Sequence, residues 1–389
     1  MAAKLAKQFL ALKDFEPAAR ALLPRPIFGY VSGATETNAS LSDNLSVFDE
    51  WGFVPRALVN VSQRDTSIEL FGTCYQLPFG IAPMGVSALS AYRGDIVQAR
   101  AARRRGVPMI LSGTSLIKME TVLEAAPGTW FQAYMPRHQH EIASYVSRIE
   151  KAGVEVLVVT VDASVTPNRE NNVRNNYKTP LRPSVDLLWD GLTHPRWALG
   201  TFLRTLLQHG MPHFENLGAE RGVPLVAKDV SRDFSGREHL DWEALRAIRQ
   251  QWKGPLVVKG LLHPYDAIQA KDIGADGIIV SNHGGRQLDG AVSPMRVLES
   301  IVESSGAMTV MIDSGFRRGT DVLKALALGA KCVFVGRPFN YAAAVAGEVG
   351  VDHAISLLAV EVRASLGMLG LTRIDQLASS CLMKRQLHR

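Results

Sequence analysis

The stretch Gly277-Ile278-Ile279-Val280-Ser281-Asn282-His283-Gly284-Gly285-Arg286-Gln287-Leu288-Asp289 joins an apolar, β-branched run to a histidine, two glycines and an arginine. The run predicts a buried strand, with the polar residues at its carboxyl end. His283 supplies a base that titrates near neutral pH, and Arg286 supplies a planar cation that binds a carboxylate through two hydrogen bonds. The glycines leave room for a large ligand beside the backbone. The stretch therefore predicts a functional site rather than an ordinary polar turn.

Short apolar runs followed by turn signals recur along the chain, and most neighbouring runs are separated by a helical pattern. The eight runs are 79–82, 108–111, 129–134, 154–161, 256–258, 277–280, 309–312 and 332–335. Continuous rather than alternating apolar strands indicate a parallel sheet covered on both faces. We therefore predict an α/β fold, a closed (β/α)8 TIM barrel. An open, doubly wound sheet is the alternative, because counting strands does not show closure.

Two segments fall outside this alternation. Residues 1–75 are predicted to form an N-terminal, mainly helical cap segment, followed by the barrel at 76–389. The connection between the fourth and fifth strands is too long for an ordinary loop, so we predict an insert at about 177–240. Its stretch 187–207 is rich in leucine and tryptophan, with arginine and histidine between them. This composition predicts either a lid over the site or an amphipathic element on a membrane surface.

Composition is that of an ordinary globular protein: of 389 residues, 47% are hydrophobic and 21% charged. The net charge of +6 is spread along the chain, which argues against a nucleic acid partner. Three widely separated cysteines favour a reducing compartment and show no metal-binding spacing. The N-terminus lacks a signal-peptide pattern, and glycines and prolines break the longest uncharged run, 70–92, which is therefore not predicted to span a membrane.

In a barrel of this kind the active site lies at the carboxyl ends of the strands. Those ends bring amides, hydroxyls, a lysine and a base to one mouth. In chain order the residues are Pro83, Met84, Gly85, Ser112, Thr114, Gln132, Tyr134, Thr160, Asp162, Lys259, Ser281, His283, Asp313, Ser314, Gly315, Arg317, Gly336 and Arg337.

The ends of the seventh and eighth strands carry a phosphate-binding signal. Glycines at 315 and 336 let backbone N–H groups approach an anion, and Arg337 can add charge-assisted hydrogen bonds. A helix start at Thr320 or Asp321 is expected to add its dipole. An ordinary barrel turn would explain one such loop but not two adjacent ones with arginines.

Lys259 ends a buried strand, which is costly unless its ammonium group meets an anion. Beside a flavin it would stabilise the negative charge of the reduced ring. Three neutral hydrogen-bonding residues suit a flavin's polar edge, or alternatively cap a helix or satisfy a buried carbonyl: Gln132, Thr160 and Ser112. Asp162 would orient His283, or alternatively cap the next helix.

On these residues the chain resembles the FMN-dependent L-2-hydroxy acid oxidase and dehydrogenase family. The resemblance covers about residues 25–380 and rests on 281–289, Asp313-Ser-Gly-Phe-Arg-Arg-Gly319 and Lys324-Ala-Leu-Ala-Leu-Gly-Ala330. His194-Pro-Arg-Trp197 and Gly210-Met-Pro212 are most similar to mandelate and membrane lactate dehydrogenases, in which this insert associates with the membrane. A single FMN hydroxy acid dehydrogenase domain over about 5–385 is implied.

The resemblance implies His283 as the catalytic base, Asp162 as its partner and Tyr134 as a contact near the substrate hydroxyl. Arg286 and Arg169 would bind the substrate carboxylate. FMN would be held by the two phosphate loops, with Asp313, Ser314, Gly315, Arg317, Gly336 and Arg337, and by Pro83, Met84, Gly85, Ser112, Gln132, Thr160, Lys259 and Ser281.

The chain departs from the family pattern near its N-terminus. Family members usually carry a tyrosine that hydrogen-bonds the substrate carboxylate, and counting back from Ser32-Gly33 places that position at Gly29. Tyr30 is one residue further along a helix, which turns its side chain about 100° away. Either the helix is locally shifted and Tyr30 serves, or the pocket lacks this contact. Thr114 also replaces a tryptophan found in glycolate oxidase.

The resulting hypothesis is FMN-dependent oxidation of a lactate- or mandelate-like L-2-hydroxy acid to the 2-oxo acid. Electrons would pass to flavin N5 and then to a quinone, another carrier or oxygen, and Gly85 and the insert favour a carrier. The resemblance also implies a homotetramer in the cytoplasm, peripheral on the inner face of the cell membrane. The alternatives are a non-redox phosphate-binding barrel enzyme and an inactive membrane-docking relative.

Overall fold

Eight parallel strands close into a barrel in the computed structural model, which describes residues 2–177, 185–227 and 237–385. The strands are β1 (Trp51–Phe53), β2 (Ile68–Leu70), β3 (Thr73–Tyr75), β4 (Phe79–Ile81), β5 (Ile110–Ser112), β6 (Trp130–Ala133), β7 (Leu157–Thr160), β8 (Leu256–Leu261), β9 (Gly277–Val280), β10 (Thr309–Asp313), β11 (Cys332–Val335) and β12 (Leu382–Lys384). Strands β4 to β11 form one parallel sheet. A parallel bridge between Ile81 and Met109 joins β4 to β5. The predicted barrel is confirmed.

Helices cover the outer face of the sheet. They are α1 (Ala2–Gln8), α2 (Phe15–Leu22), α3 (Arg25–Ser32), α4 (Ala39–Ser46), α5 (Ser87–Ser90), α6 (Gly94–Arg105), α7 (Met119–Ala125), α8 (Gln139–Lys151), α9 (Glu170–Arg174), α10 (Val185–Thr193), α11 (Pro195–Trp197), α12 (Arg204–His209), α13 (Trp242–Gln251), α14 (Pro264–Asp272), α15 (Pro294–Ser305), α16 (Gly319–Ala327) and α17 (Arg337–Met368). A π-helical turn, Ala198–Leu203, joins α11 to α12.

By length and composition α17 could cross a membrane, but it packs along α2, α6 and α16 and kinks at Ala346 and Gly347.

The barrel interior is a packed core rather than a channel. Trp130 on β6 is buried there and donates from its indole nitrogen to the Tyr75 hydroxyl at 3.1 Å. The β2–β3 hairpin supplies Tyr75 and also Phe71, whose ring lies 5.5 Å from that of Trp130. The hairpin thus covers the amino end of the barrel, which is consistent with an active site at the carboxyl end of the strands.

The N-terminal segment is helical only in its first part. Helices α1 to α4 end at Ser46, and residues 51–75 instead form β1 and the β2–β3 hairpin. Strand β1 pairs with β12 near the C-terminus, so this segment contacts the other end of the chain. The division into a cap at 1–75 and a barrel at 76–389 remains a prediction.

Helix α4 braces the stretch that follows β9. Asp289 accepts hydrogen bonds from the backbone N–H groups of Thr37 and Ser40, at 2.9 and 3.2 Å. The side-chain amides of Asn44 and Asn282 pair with each other at 2.8 Å. These contacts fix the backbone on both sides of His283.

The insert between β7 and β8 anchors one tryptophan and exposes a row of leucines. Trp197 is buried and donates from its indole nitrogen to the Leu89 carbonyl at 2.7 Å. Leu199, Leu203 and Leu207 are spaced four residues apart and are 63%, 42% and 78% exposed. Residues 178–184 and 228–236, and the side chains at 185–188, lie outside the description. The anchored insert therefore presents an apolar stripe to solvent.

Candidate active site

One cavity opens at the carboxyl ends of the eight barrel strands. It is lined by every residue predicted to form the site except Asp162 and Ser281. These two residues contact lining residues instead of lining the cavity themselves. Asp162 contacts His283. Ser281 accepts hydrogen bonds from the Lys259 ammonium group at 2.9 Å and from the His283 backbone N–H at 3.0 Å. The structure thus brings together residues that are far apart in the sequence.

His283 and Asp162 form a hydrogen-bonded pair, 2.9 Å from Nδ1 to Oδ1. A carboxylate only accepts, so Nδ1 carries the proton and Nε2 is left as the acceptor. Nε2 lies 3.4 Å from the Tyr134 hydroxyl. Burial lowers the pKa of His283 below its usual 6.5, although Asp162 partly opposes the shift. Burial raises the pKa of Asp162, but His283 and Lys259 outweigh it, so that pKa is lowered. The site therefore holds a neutral imidazole beside an ionised carboxylate.

The backbone at His283 adopts an unusual conformation that the two glycines continue. The φ angles of His283, Gly284 and Gly285 are 57°, 66° and 75°. A Cβ on Gly285 would lie 2.7 Å from the Leu41 nitrogen of α4. Only glycine allows the left-handed turn and the close approach of α4 together. This turn directs His283 into the cavity.

Lys259 forms a buried ion pair with Asp313, 3.0 Å from Nζ to Oδ2. Burial lowers the pKa of Lys259, but Asp313 and Asp162 outweigh it and raise that pKa above its usual value. The lysine is therefore a fixed positive charge on the cavity wall.

The hydrogen bonds of Gln132 show whether the cavity suits a flavin. Its Oε1 accepts from the Ser112 hydroxyl and the Gly113 N–H, each at 3.3 Å. Its Nε2 is buried and has no hydrogen-bond partner among the described residues. A buried amide donor without a partner is costly, and a carbonyl or ring nitrogen of a flavin would satisfy it. The neutral groups on this wall thus fit the polar edge of FMN.

Two arginines, Arg317 and Arg337, line the part of the cavity that follows β10 and β11, where the sequence predicts phosphate binding. Arg317 and Arg337 form no ion pair within 2–177, 185–227 and 237–385. Burial lowers the pKa of both groups, that of Arg337 to about 9, where the charge of Arg286 adds to the effect. Two desolvated guanidinium groups without carboxylates fit a bound phosphate.

The expected contribution of the α16 dipole stays a prediction, and two carboxylates lie at the start of this helix. Asp321 accepts hydrogen bonds from the backbone N–H groups of Arg317 and Arg318, both at 2.9 Å. Glu361 accepts from the Gly319 N–H at 2.7 Å. These carboxylates already satisfy the first N–H groups of the helix and offset its positive end. An anion at this end of the cavity therefore depends on the arginines and glycine loops.

Arg286 and Arg169, the two residues predicted to bind the substrate carboxylate, also line the cavity. Arg286 donates from Nη1 to the carbonyls of Tyr30 and Gly33, at 2.7 and 2.6 Å. Arg169 donates to the Arg286 carbonyl at 3.2 Å and to the Gln287 side chain at 2.8 Å. Burial lowers the pKa of Arg169 to about 10, and the charge of Arg286 adds to this. Two neighbouring cations held by neutral groups are well suited to share a carboxylate.

Tyr30 lies in the cavity although Gly29 occupies the expected position. A Cβ on Gly29 would lie 2.5 Å from the Asn175 Cβ, so Asn175 fills that space. The Tyr30 ring stacks on Tyr177, with 4.5 Å between centroids, and Arg286 lies 4.9 Å from its centre. The geometry thus favours the alternative in which Tyr30 reaches the pocket.

Sequence reasoning missed several lining residues. Val165, Thr166 and Pro167 come from the loop after β7, and Arg237 comes from the far end of the insert. No motif marks these positions, and their place in the site depends on how the insert folds back.

Two desolvated arginines, a buried lysine and a histidine–aspartate pair at the mouth of a barrel are the features expected of a cofactor-binding oxidoreductase. The chain belongs to the FMN-dependent dehydrogenase family, whose model matches residues 19–384. It is an FMN-dependent 2-hydroxy acid dehydrogenase, and this excludes the non-redox alternative.

Its relatives are similar over nearly their whole length. The chain is 37% identical to (S)-mandelate dehydrogenase of Pseudomonas putida, covering 96% of this chain and 94% of that protein. It is also 37% identical to L-lactate dehydrogenase of Xanthomonas euvesicatoria pv. vesicatoria, covering 96% of each. The crystal structure of the monotopic membrane protein (S)-mandelate dehydrogenase superimposes with a TM-score of 0.89 at 37% identity, covering 97% of this chain and all of that one.

Proposed function

We propose that the protein oxidises a small L-2-hydroxy acid to the 2-oxo acid, with His283 as the base. The observation that carries this proposal is the 2.9 Å pair between Nδ1 of His283 and Asp162, which leaves Nε2 as the acceptor of a residue that lines the cavity. A neutral imidazole accepts a proton readily, and the adjacent carboxylate stabilises the imidazolium that forms. Tyr134 hydrogen-bonds near the same nitrogen and would orient the substrate hydroxyl.

Arg286 and Arg169 would bind the substrate carboxylate and so fix the reacting carbon. Among the described residues, Arg169 donates from Nε and Nη2 and Arg286 from Nη1, and both residues line the cavity. FMN would be held by Gln132, Ser112, Thr160 and Lys259 at the ring and by Arg317 and Arg337 at the phosphate. When bound, FMN supplies the acceptor for the substrate's electron pair.

The test is anaerobic mixing of the purified, FMN-loaded protein with L-2-hydroxy acids while the flavin absorbance is followed. Lactate, mandelate, glycolate and longer hydroxy acids form the series. We expect loss of the oxidised flavin band with at least one of them, and recovery of the band with an added quinone faster than with oxygen. A flavin that no hydroxy acid reduces would support the inactive, membrane-docking alternative.

We further propose that the insert places the protein on the surface of an anionic membrane, as a peripheral protein that delivers electrons to a quinone. The support is the exposed stripe formed by Leu199, Leu203 and Leu207, together with the similarity to a mandelate dehydrogenase that is a monotopic membrane protein. The stripe lies among the basic residues Arg196 and Arg204. Apolar side chains flanked by arginines suit the boundary between headgroups and acyl chains.

Replacing the three leucines with glutamate should release the protein from vesicles that contain anionic lipid. Moving a glutamate carboxylate into the membrane costs more free energy than moving a leucine side chain there gains. We therefore expect at least a tenfold loss of co-sedimentation with the vesicles. Leu58→Glu is the matched control, because Leu58 is fully exposed elsewhere. Flavin reduction in solution should stay unchanged in both variants. Equal vesicle binding by the triple variant and the parent would refute a membrane role for the stripe.

A further inference from the structure

Arg237 reaches the active-site cavity from the far end of the insert. Its guanidinium carbon lies 4.4 Å from the centre of the Tyr134 ring, and the residue lines the same cavity as His283 and Arg286. This is the distance of a cation–π contact with the tyrosine whose hydroxyl faces His283. A charge from the insert is thus placed on the cavity wall.

One contact holds the segment beside Arg237 against the barrel, and a second shapes the segment itself. His239 lies with Nε2 3.3 Å from the Pro136 carbonyl, in the loop that carries Tyr134. The Arg237 carbonyl accepts from the Leu240 N–H at 3.2 Å, which forms a turn just before Asp241 caps α13. The position of Arg237 therefore follows from the start of a helix rather than from a free loop.

Basic side chains outnumber acidic ones among the described residues of the cavity wall. The described lining residues include six cations, Arg169, Arg237, Lys259, Arg286, Arg317 and Arg337, and a single carboxylate, Asp313. In the proposed reaction Arg317 and Arg337 bind the FMN phosphate, and Lys259 contacts the flavin ring. Arg169 and Arg286 bind the substrate carboxylate. The proposed reaction does not use Arg237.

We propose that Arg237 is a specificity-determining residue that selects 2-hydroxy acids whose side chain ends in a second carboxylate. This inference rests on the proposed function, because it assigns the substrate class of that same site. Arginine suits the role since its planar cation binds carboxylates directionally and stays charged on stacking against an aromatic ring. The side chain of a 2-hydroxy dicarboxylic acid would meet this charge, whereas that of a lactate-like acid would not.

The test compares two substrates of the same shape that differ only in charge, L-2-hydroxyglutarate and its 5-amide. With the FMN-loaded parent protein we expect kcat/KM for the dicarboxylate to exceed that for the amide at least tenfold. In Arg237→Gln the preference should fall to within about twofold, while kcat/KM for L-2-hydroxybutanoate changes less than threefold. Exposed Arg137, next to the same loop, gives the matched control Arg137→Gln, which should keep the parent preference.

Calorimetry gives a second readout that does not depend on turnover. Binding of 2-oxoglutarate should weaken at least tenfold in Arg237→Gln, and binding of 2-oxobutanoate should not change. Equal discrimination by parent and variant, or a parent that does not distinguish the acid from its amide, would overturn the assignment of Arg237. Failure of every hydroxy acid to reduce the flavin would instead overturn the proposed function.

Discussion

His283→Gln should lower the rate of flavin reduction by roughly 10²- to 10⁴-fold, the usual contribution of a general base. Glutamine can keep the hydrogen bond to Asp162, which is 2.9 Å long in the parent, but it cannot accept the substrate proton at neutral pH. The measurement is the single-turnover rate of flavin bleaching by the best hydroxy acid under anaerobic conditions. FMN content should be unchanged, since the expected flavin contacts other than Ser281 come from other strands.

The matched control is His140→Gln, an exposed histidine in the first turn of α8. It should reduce its flavin at the parent rate. A His283→Gln variant that retains FMN and turns over at the parent rate would remove His283 from the mechanism.

The pH dependence of kcat/KM should follow from the hydrogen-bonded pair of His283 and Asp162. In the proposed reaction neutral His283 is the active form, and burial lowers its pKa below 6.5 despite the opposing effect of Asp162. We therefore expect kcat/KM to rise with pH along a limb centred below 6.5 and to be level near pH 7. Asp162→Asn removes the charge that favours the imidazolium, so the limb should move to lower pH while the plateau falls. A limb that does not move would show that Asp162 does not act through His283.

Much of the fold could be predicted because periodicity and strand ends are local signals. The continuous apolar runs identified β9 and β11 with the bounds that the structure gives. In a barrel the residues that follow the strands meet at one mouth, and the cavity there is lined by all the predicted site residues except Asp162 and Ser281.

Contacts between distant segments could not be predicted in the same way. The carboxylate of Glu361 that satisfies the start of α16 comes from 42 residues further along the chain. Tyr30 reaches the cavity because Asn175 fills the space beside Gly29, which no count along the helix reveals. Arg237 lies in the site only because the insert folds back onto the loop of Tyr134. In each case the decisive partner is remote and carries no motif.

Arg286→Met should lower kcat/KM for a 2-hydroxy acid by about 10³-fold, since removing one partner of a buried, charge-assisted pair costs several kcal/mol. Arg286→Lys retains the charge but loses the planar fork, so an intermediate loss is expected, mainly in KM. Arg286 also donates to the carbonyls of Tyr30 and Gly33, and thermal unfolding must therefore be measured alongside the kinetics. Arg100→Lys, at an exposed position on α6, is the matched control. If Arg286→Lys unfolds at a lower temperature yet keeps the parent KM, the residue braces the N-terminal segment and does not bind the substrate.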